Sequence, residues 1–232
     1  ALYAAAALAM QAVPFKAQPV GASSGFVASF VEGLRFMRGR PIILGAISLD
    51  MFAVLLGGAT AVLPIIADTL LRAGSIGLGL LRSAPAVGAL AMSIWLAHHP
   101  MRSAVGQRMF AAVAVFGLAT IALAFSRSLA LSLVILFALG AADMVSVVIR
   151  QAMVQLHTPD AMRGRVSAVN SIFIGASNQL GEFESGLTAA WFGLVPSIVI
   201  GGVGTLLVTV LWMRLFPSLA RAQTLEAKAV DP

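Results

Sequence analysis

The stretch LALSLVILFALGAADMVSVVI, residues 129–149, decides the fold class of this chain. It is 21 residues long and carries a single charge, at Asp143. A helix of about 20 mostly apolar residues spans the hydrocarbon core of a bilayer, and a soluble surface helix would carry a polar face instead. The stretch therefore predicts a transmembrane helix.

Five comparable apolar runs accompany it, so that the chain predicts six crossings. In chain order they cover about residues 41–67, 77–96, 105–125, 129–149, 166–192 and 195–213. The composition agrees, because 59% of the 232 residues are hydrophobic and 10% are charged, whereas about a quarter of the residues of a soluble domain are charged. None of the runs alternates like a barrel strand. The predicted fold is an all-α membrane protein, a six-transmembrane-helix bundle.

Less apolar segments flank the predicted bundle at residues 41–213. Residues 1–10 predict the tail of a preceding transmembrane helix, which makes the chain a fragment, and residues 214–232 predict a cytoplasmic carboxy-terminal tail. Residues 11–40 predict a cytoplasmic loop in which residues 26–37 form an amphipathic helix. That helix fits either the membrane surface or the surface of the protein, and its pattern does not choose between them.

The basic residues predict the orientation of the bundle. Twelve of the 15 Lys and Arg residues lie before the first span or after the second, fourth and sixth, and only Arg72, Arg82 and Arg127 lie on the other side. Because basic loops stay in the cytoplasm, both ends of the six-span unit are expected there, in a multi-pass protein of the cell inner (plasma) membrane. The net charge of +6 thus indicates contact with membrane lipids and not with nucleic acid.

Charged residues inside a span are costly to bury, and each is a functional candidate. Asp50 lies nine residues into the first span, close to the bilayer centre. It predicts either a protonatable or cation-binding carboxylate in a central cavity, or a carboxyl satisfied by a neighbouring helix. Asp143, Ser146 and Arg150 share one helix face. Arg150 is expected to extend to the lipid headgroups, and Asp143 to pair with a basic residue or line the cavity.

The fifth predicted span is the most polar, because it contains NSIFIGASNQLGEFESG at residues 170–186. Asn178, Glu182 and Glu184 are its further candidates for a substrate and proton pathway. The two glutamates are two positions apart and point in different directions around a helix. We expect one of them to face the pathway. In the alternative, the helix ends earlier and both glutamates are solvated at the outer surface.

The order of these features resembles helices seven to twelve of major facilitator superfamily transporters, in the drug- and siderophore-exporter branch that includes enterobactin exporters. The resemblance rests on SGFVASFVEGLRFMRGRP (24–41), GLGLLRSAPAVGALAMS (77–93) and TPDAMRGRVSAVNSIFIGASNQLG (158–181). It implies one half of a twelve-helix fold, with the amino-terminal six-helix half as its partner. It also implies proton-coupled export of small molecules by alternating access, and a cytoplasmic gate at Arg150, Arg163 and Arg165.

One segment departs from the family pattern. The family's cytoplasmic signature is repeated here only as WLAHHPMRSAVGQR (95–108), which lacks the acidic residue, so no charge-relay role carries over to it. No catalytic motif of the H-E-x-x-H or G-x-S-x-G type is present, and no enzymatic activity, cofactor or metal is expected. A homodimeric six-span channel or membrane scaffold is the alternative to a transporter.

Overall fold

The computed structural model describes residues 25–101 and 103–225, which form helices and no strand. The predicted helix tail at 1–10, residues 11–24 of the predicted loop and residues 226–232 lie outside the described residues. The helices are α1 (Phe26–Arg38), α2 (Pro41–Leu56), α3 (Gly74–His98), α4 (Val105–Phe125), α5 (Leu129–Leu156), α6 (Asp160–Phe192), α7 (Leu194–Leu215) and α8 (Pro217–Ala220).

Between α2 and α3 the chain stays coiled but leaves the α-helical hydrogen-bond pattern. A 3-10 turn at Ala59–Val62 leads into a single α-helical turn at Leu63–Ile65 and a π-helical turn at Ile66–Leu70. Regular helix stops at Gly57 and Gly58, because glycine is a poor helix former, and Pro64 then removes a backbone donor. The helix is thus interrupted before Pro64, whereas α3 continues through Pro85.

Five segments of the described residues are long and apolar enough to cross a membrane. They are Pro41–Leu70, Gly74–His98, Val105–Phe125, Leu129–Leu156 and Leu194–Leu215, with mean hydropathies of 2.1, 1.4, 2.0, 2.3 and 2.2. The predicted fifth span lies within α6, which is 33 residues long but too polar to qualify. The all-α membrane bundle is therefore confirmed, and the crossing by α6 stays a prediction.

Several helices extend beyond the apolar runs that predicted them. The third span matches α4 at both ends, but α5 continues seven residues past Ile149, and α6 begins six residues before Val166. Apolar composition reports where a helix meets lipid, whereas the backbone continues as helix into the more polar region beyond. As a result, only the three residues 157–159 connect α5 to α6.

Close contacts between backbones hold the bundle together. The helix α5 packs between α3 and α4, and α2 packs against α6 and α7. A Cβ atom at Gly140 would collide with the carbonyl oxygen of Pro85 on α3, and one at Gly58 would lie 2.9 Å from the carbonyl oxygen of Gly181 on α6. These glycines let the helices approach closely, whereas a Cβ atom at Gly175 would have no neighbour within 4 Å.

The amphipathic helix α1 packs on α6 with one apolar face. Met37 is fully buried, and a Cβ atom at Gly33 would lie 3.0 Å from the carbonyl oxygen of Arg165. A second apolar stripe, made of Val27, Val31 and Leu34, is exposed. Packing on the protein is therefore confirmed for one face of α1, and the exposed stripe is compatible with the membrane-surface alternative.

Candidate functional site

An ion pair between Asp50 and Arg150 lies inside the bundle. Arg150 Nη2 is 3.2 Å from Asp50 Oδ2, and the two side chains are 3% and 8% exposed. Asp50 projects from α2 and Arg150 from α5, so the pair joins two helices. The prediction that Arg150 extends to the headgroups is wrong. Because α5 continues to Leu156, Arg150 lies well inside the helix and faces the carboxylate of Asp50.

A third helix joins this ion pair through Asn170. The guanidinium Nη1 of Arg150 donates a hydrogen bond to Asn170 Oδ1 at 3.1 Å, and the amide side chain is buried on α6. Our selection of site residues from the sequence missed Asn170. Asn170 belongs to the polar stretch of the fifth predicted span, but no local pattern relates it to Arg150, because their contact depends on how α5 and α6 pack.

Asp143 and Ser146 extend the site along α5. Both line a small cavity with Asp50, and its other walls are the apolar residues Ala53, Val54, Ala112, Val113, Phe116 and Ala142. The cavity has a volume of about 10 Å³, which is enough for about one water molecule. We call Asp50, Asp143, Ser146, Arg150 and Asn170 the buried charge cluster.

Two polar atoms of this cluster lack partners within the described residues. Ser146 Oγ and Arg150 Nε are buried, and neither makes a hydrogen bond there. A buried polar group without a hydrogen bond destabilises a protein by about 1–3 kcal/mol. Such groups occur where a site exchanges protons or binds water. Asp143 is partly exposed and interacts electrostatically with both Asp50 and Arg150.

The candidates on the second half of α6 are distant from the buried charge cluster. Glu182 lies 12 residues beyond Asn170, which is roughly 18 Å along the helix. Because α6 continues to Phe192, the alternative in which the helix ends before the glutamates is wrong. Asn178 and Glu182 are exposed, whereas Glu184 is partly buried.

Glu182 faces an open cleft between α3 and α6. The lining residues are Thr60, Ala61, Leu63, Arg82 and Glu182, and the volume is about 570 Å³. We call this the α3–α6 cleft. The sequence singled out Glu182 but used Arg82 only to predict orientation. No pattern relates two positions that are so distant along the chain.

The three predicted gate arginines have different partners. Arg165 Nη1 lies 3.0 Å from Glu32 Oε1 and so ties α6 to α1, whereas Arg163 pairs with Asp160 in its own first helical turn at 2.8 Å. Arg150 belongs to the buried charge cluster instead. The structure therefore brings Arg165 and Arg163 to the beginning of α6, and their role in a gate stays a prediction.

One known family of membrane proteins matches almost the whole chain. The family model for transmembrane secretion effectors, a family of the major facilitator superfamily, matches residues 2–231. The chain belongs to this family. The secretion effector is thus a multi-pass membrane protein of a transporter family, which favours a transporter over an enzyme and over a homodimeric channel or scaffold. No curated protein and no solved structure gives a match.

Proposed function

We propose that this secretion effector is a proton-coupled exporter of small molecules, in which the buried charge cluster carries the proton. The observation that supports the proposal best is that Asp50 pairs with Arg150 at the junction of three helices, while a second carboxylate, Asp143, lines the same small cavity as Asp50 and interacts electrostatically with both residues. Charged residues at such a position in a membrane protein are typical of proton relays and substrate pathways.

The formal charges of the cluster support a site for one proton. With Asp50 and Asp143 ionised and Arg150 positive, the cluster would bury one uncompensated negative charge. Removing that charge is favourable in a poorly solvated interior, and a single proton removes it. Arg150 keeps its charge, because a guanidinium does not deprotonate in proteins. The cluster therefore suits the exchange of one proton per cycle.

The size and charge of the cavity favour a proton over a metal cation. A space for about one water molecule is too small for a hydrated cation. A bare cation would have to lie beside the positive guanidinium of Arg150, which repels it. One water molecule, in contrast, can pass a proton between two carboxylates. Since Asp143 is partly exposed and Asp50 is buried, we expect the proton to enter through Asp143.

Protonation of Asp50 would change how the helices hold together. With Asp50 ionised, Arg150 ties α2 to α5 through the ion pair and α5 to α6 through Asn170. A neutral Asp50 loses most of its attraction for the guanidinium, so that α2 can move relative to α5 and α6. This gives the bound proton a direct effect on the contacts that alternating access would have to change.

The direction of transport and the class of substrate are supported by other observations. The family description names secretion, which agrees with export and with a proton antiporter of the cell inner membrane. The resemblance to drug and siderophore exporters supports small amphipathic substrates. At the predicted cytoplasmic end, the pair Glu32–Arg165 would act as a gate contact that opens when α6 moves away from α1, whereas the pair Asp160–Arg163 lies within α6 and moves with it.

Transport in inside-out membrane vesicles tests this proposal. The intact gene product would be expressed without competing efflux pumps, an acid-inside pH gradient imposed, and accumulation of the amphipathic dye ethidium followed. We expect accumulation to require the gradient and to be lost in Asp50→Asn and Asp143→Asn. The exposed Asp68 provides the matched control, Asp68→Asn, which should accumulate dye normally. Gradient-driven accumulation that persists in both cluster variants would contradict the proposal.

A further inference from the structure

The α3–α6 cleft carries two opposite charges that do not pair within the described residues. Arg82 and Glu182 line the same cleft and are both exposed, yet neither makes an ion pair or hydrogen bond within that part of the chain. In the ion pairs that the described residues do form, by contrast, the charged atoms lie 2.8–3.2 Å apart. The cleft therefore presents a free cation and a free anion to whatever enters it.

Both charges lie well inside the length of their helices. Arg82 is eight residues from the beginning of α3, or roughly 12 Å, and Glu182 is ten residues from the end of α6, or roughly 15 Å. These two helix ends lie on the same side of the predicted topology. At that depth a lipid-facing charge would be strongly unfavourable, so both side chains must face water, protein or a ligand.

Backbone packing fixes the wall of the cleft between these charges. The 3-10 turn Ala59–Val62 contributes Thr60 and Ala61, and it directly follows Gly58, which contacts the backbone of Gly181. Glu182 is the next residue along α6. Close approach at the two glycines thus brings the polar Thr60 beside Glu182, and this arrangement is held by backbone contacts and not by flexible side chains.

We propose that the α3–α6 cleft binds a small zwitterionic amphiphile, whose anionic group contacts Arg82 and whose cationic group contacts Glu182. The inference rests on the proposed function, because it makes the cleft the subsite that holds the exported molecule near the predicted outer face. Arg82 offers the planar guanidinium that recognises carboxylates, and Glu182 accepts hydrogen bonds from an amine. Ala61 and Leu63 supply the apolar wall for the rest of the molecule.

The dimensions of the cleft agree with such a ligand. Its volume of about 570 Å³ lies within the range of pockets that hold drug-sized molecules, about 300–1,000 Å³. A singly charged ligand would leave one side chain unpaired at this depth. A zwitterion compensates both charges at once, which fits one positive and one negative side chain on the lining of the same cleft.

Three dyes on one xanthene scaffold test the proposal by equilibrium binding to the purified intact gene product. Fluorescein is anionic, the rhodamine with free carboxyl and primary amino groups is zwitterionic, and its methyl ester is cationic. We expect the zwitterion to bind most tightly. Glu182→Gln should weaken the zwitterion and the ester by at least about tenfold and spare fluorescein, whereas Arg82→Gln should weaken the zwitterion and fluorescein and spare the ester.

Matched variants outside the cleft provide the controls. Arg72→Gln and Asp68→Asn remove exposed charges from the same end of the molecule and should bind all three dyes like the wild type. The proposal is overturned if the wild type does not prefer the zwitterion, or if both cleft variants bind the dyes unchanged. Equilibrium binding needs no proton gradient, so failure here is distinct from failure of proton coupling.

Discussion

Replacement of Arg150 by methionine tests the buried ion pair in isolation from transport. The substitution keeps a long apolar stem but removes the charge, which leaves Asp50 buried at 8% exposure without its counter-ion and Asn170 without its donor. Breaking a buried pair by removing one partner typically destabilises a protein by about 3–5 kcal/mol. For a chain of this length, that corresponds to a fall in Tm of about 6–20 °C.

The double variant separates the missing contact from the uncompensated charge. In Arg150→Met with Asp50→Leu, no buried carboxylate remains at position 50, so stability should return to within about 1 kcal/mol of the wild type or exceed it. The destabilisation of the single variant should also shrink as the pH is lowered, because a protonated Asp50 needs no counter-ion. Arg163→Met, which removes an exposed pair, should change stability by no more than about 1 kcal/mol.

Thermal unfolding in detergent, followed by circular dichroism at several pH values, provides the assay. We expect a large loss of stability for the single variant, recovery in the double variant, and a stronger pH dependence of stability in the single variant than in the wild type or the double variant. Equal stability of the single variant and the wild type would refute it, because a guanidinium that contributes nothing cannot be compensating a buried carboxylate. A double variant as unstable as the single one would show that packing, not charge, is responsible.

Three further predictions follow from individual contacts. In thermal unfolding, Gly140→Ala should destabilise the bundle by about 1–3 kcal/mol, because the added carbon atom collides with the backbone of α3. The control Gly175→Ala should be neutral or stabilising, because that position has open space. Equal effects of the two substitutions would contradict the assigned packing. Asn170→Leu removes the acceptor of the hydrogen bond from the buried Arg150 guanidinium and should lower the free energy of unfolding by about 1.5–3 kcal/mol. An unchanged free energy of unfolding would argue against this hydrogen bond. The side chains of Glu32 and Arg165 are 47% and 34% exposed, so a double-mutant cycle on this pair should give a coupling energy below about 1 kcal/mol that falls with added salt. A larger coupling energy that does not depend on salt would mean that the pair is effectively buried.

Much of the bundle could be predicted from composition alone. The apolar run 105–125 matches α4 at both ends, because its flanking polar residues coincide with the ends of the helix. The extension of α5 to Leu156 could not be predicted in this way, since hydropathy reports contact with lipid and not backbone hydrogen bonding. The change to 3-10 and π turns after Gly58 could not be predicted either, because its course depends on packing against α6.

The candidate site, like the bundle, could be predicted only in part from the sequence. Helical periodicity placed Asp143, Ser146 and Arg150 on one face, which is a local relation that spacing determines. Their partners on α2 and α6 depend on how three helices are arranged, and a single sequence does not contain that information. The inward direction of Arg150 was missed for this reason. The position of Arg82 and Glu182 on the lining of one cleft likewise becomes visible only when α3 and α6 are seen together.

The most direct test of the account is an infrared pH titration of the reconstituted protein, which detects protonated carboxyl groups through their C=O stretch. We predict that one of the carboxyl bands that titrate in the wild type is lost or shifted in both Asp50→Asn and Asp143→Asn, but not in Asp68→Asn. That result would mean that the buried charge cluster takes up one shared proton. If every titrating carboxyl band of the wild type were unchanged in both cluster variants, the central claim would be contradicted.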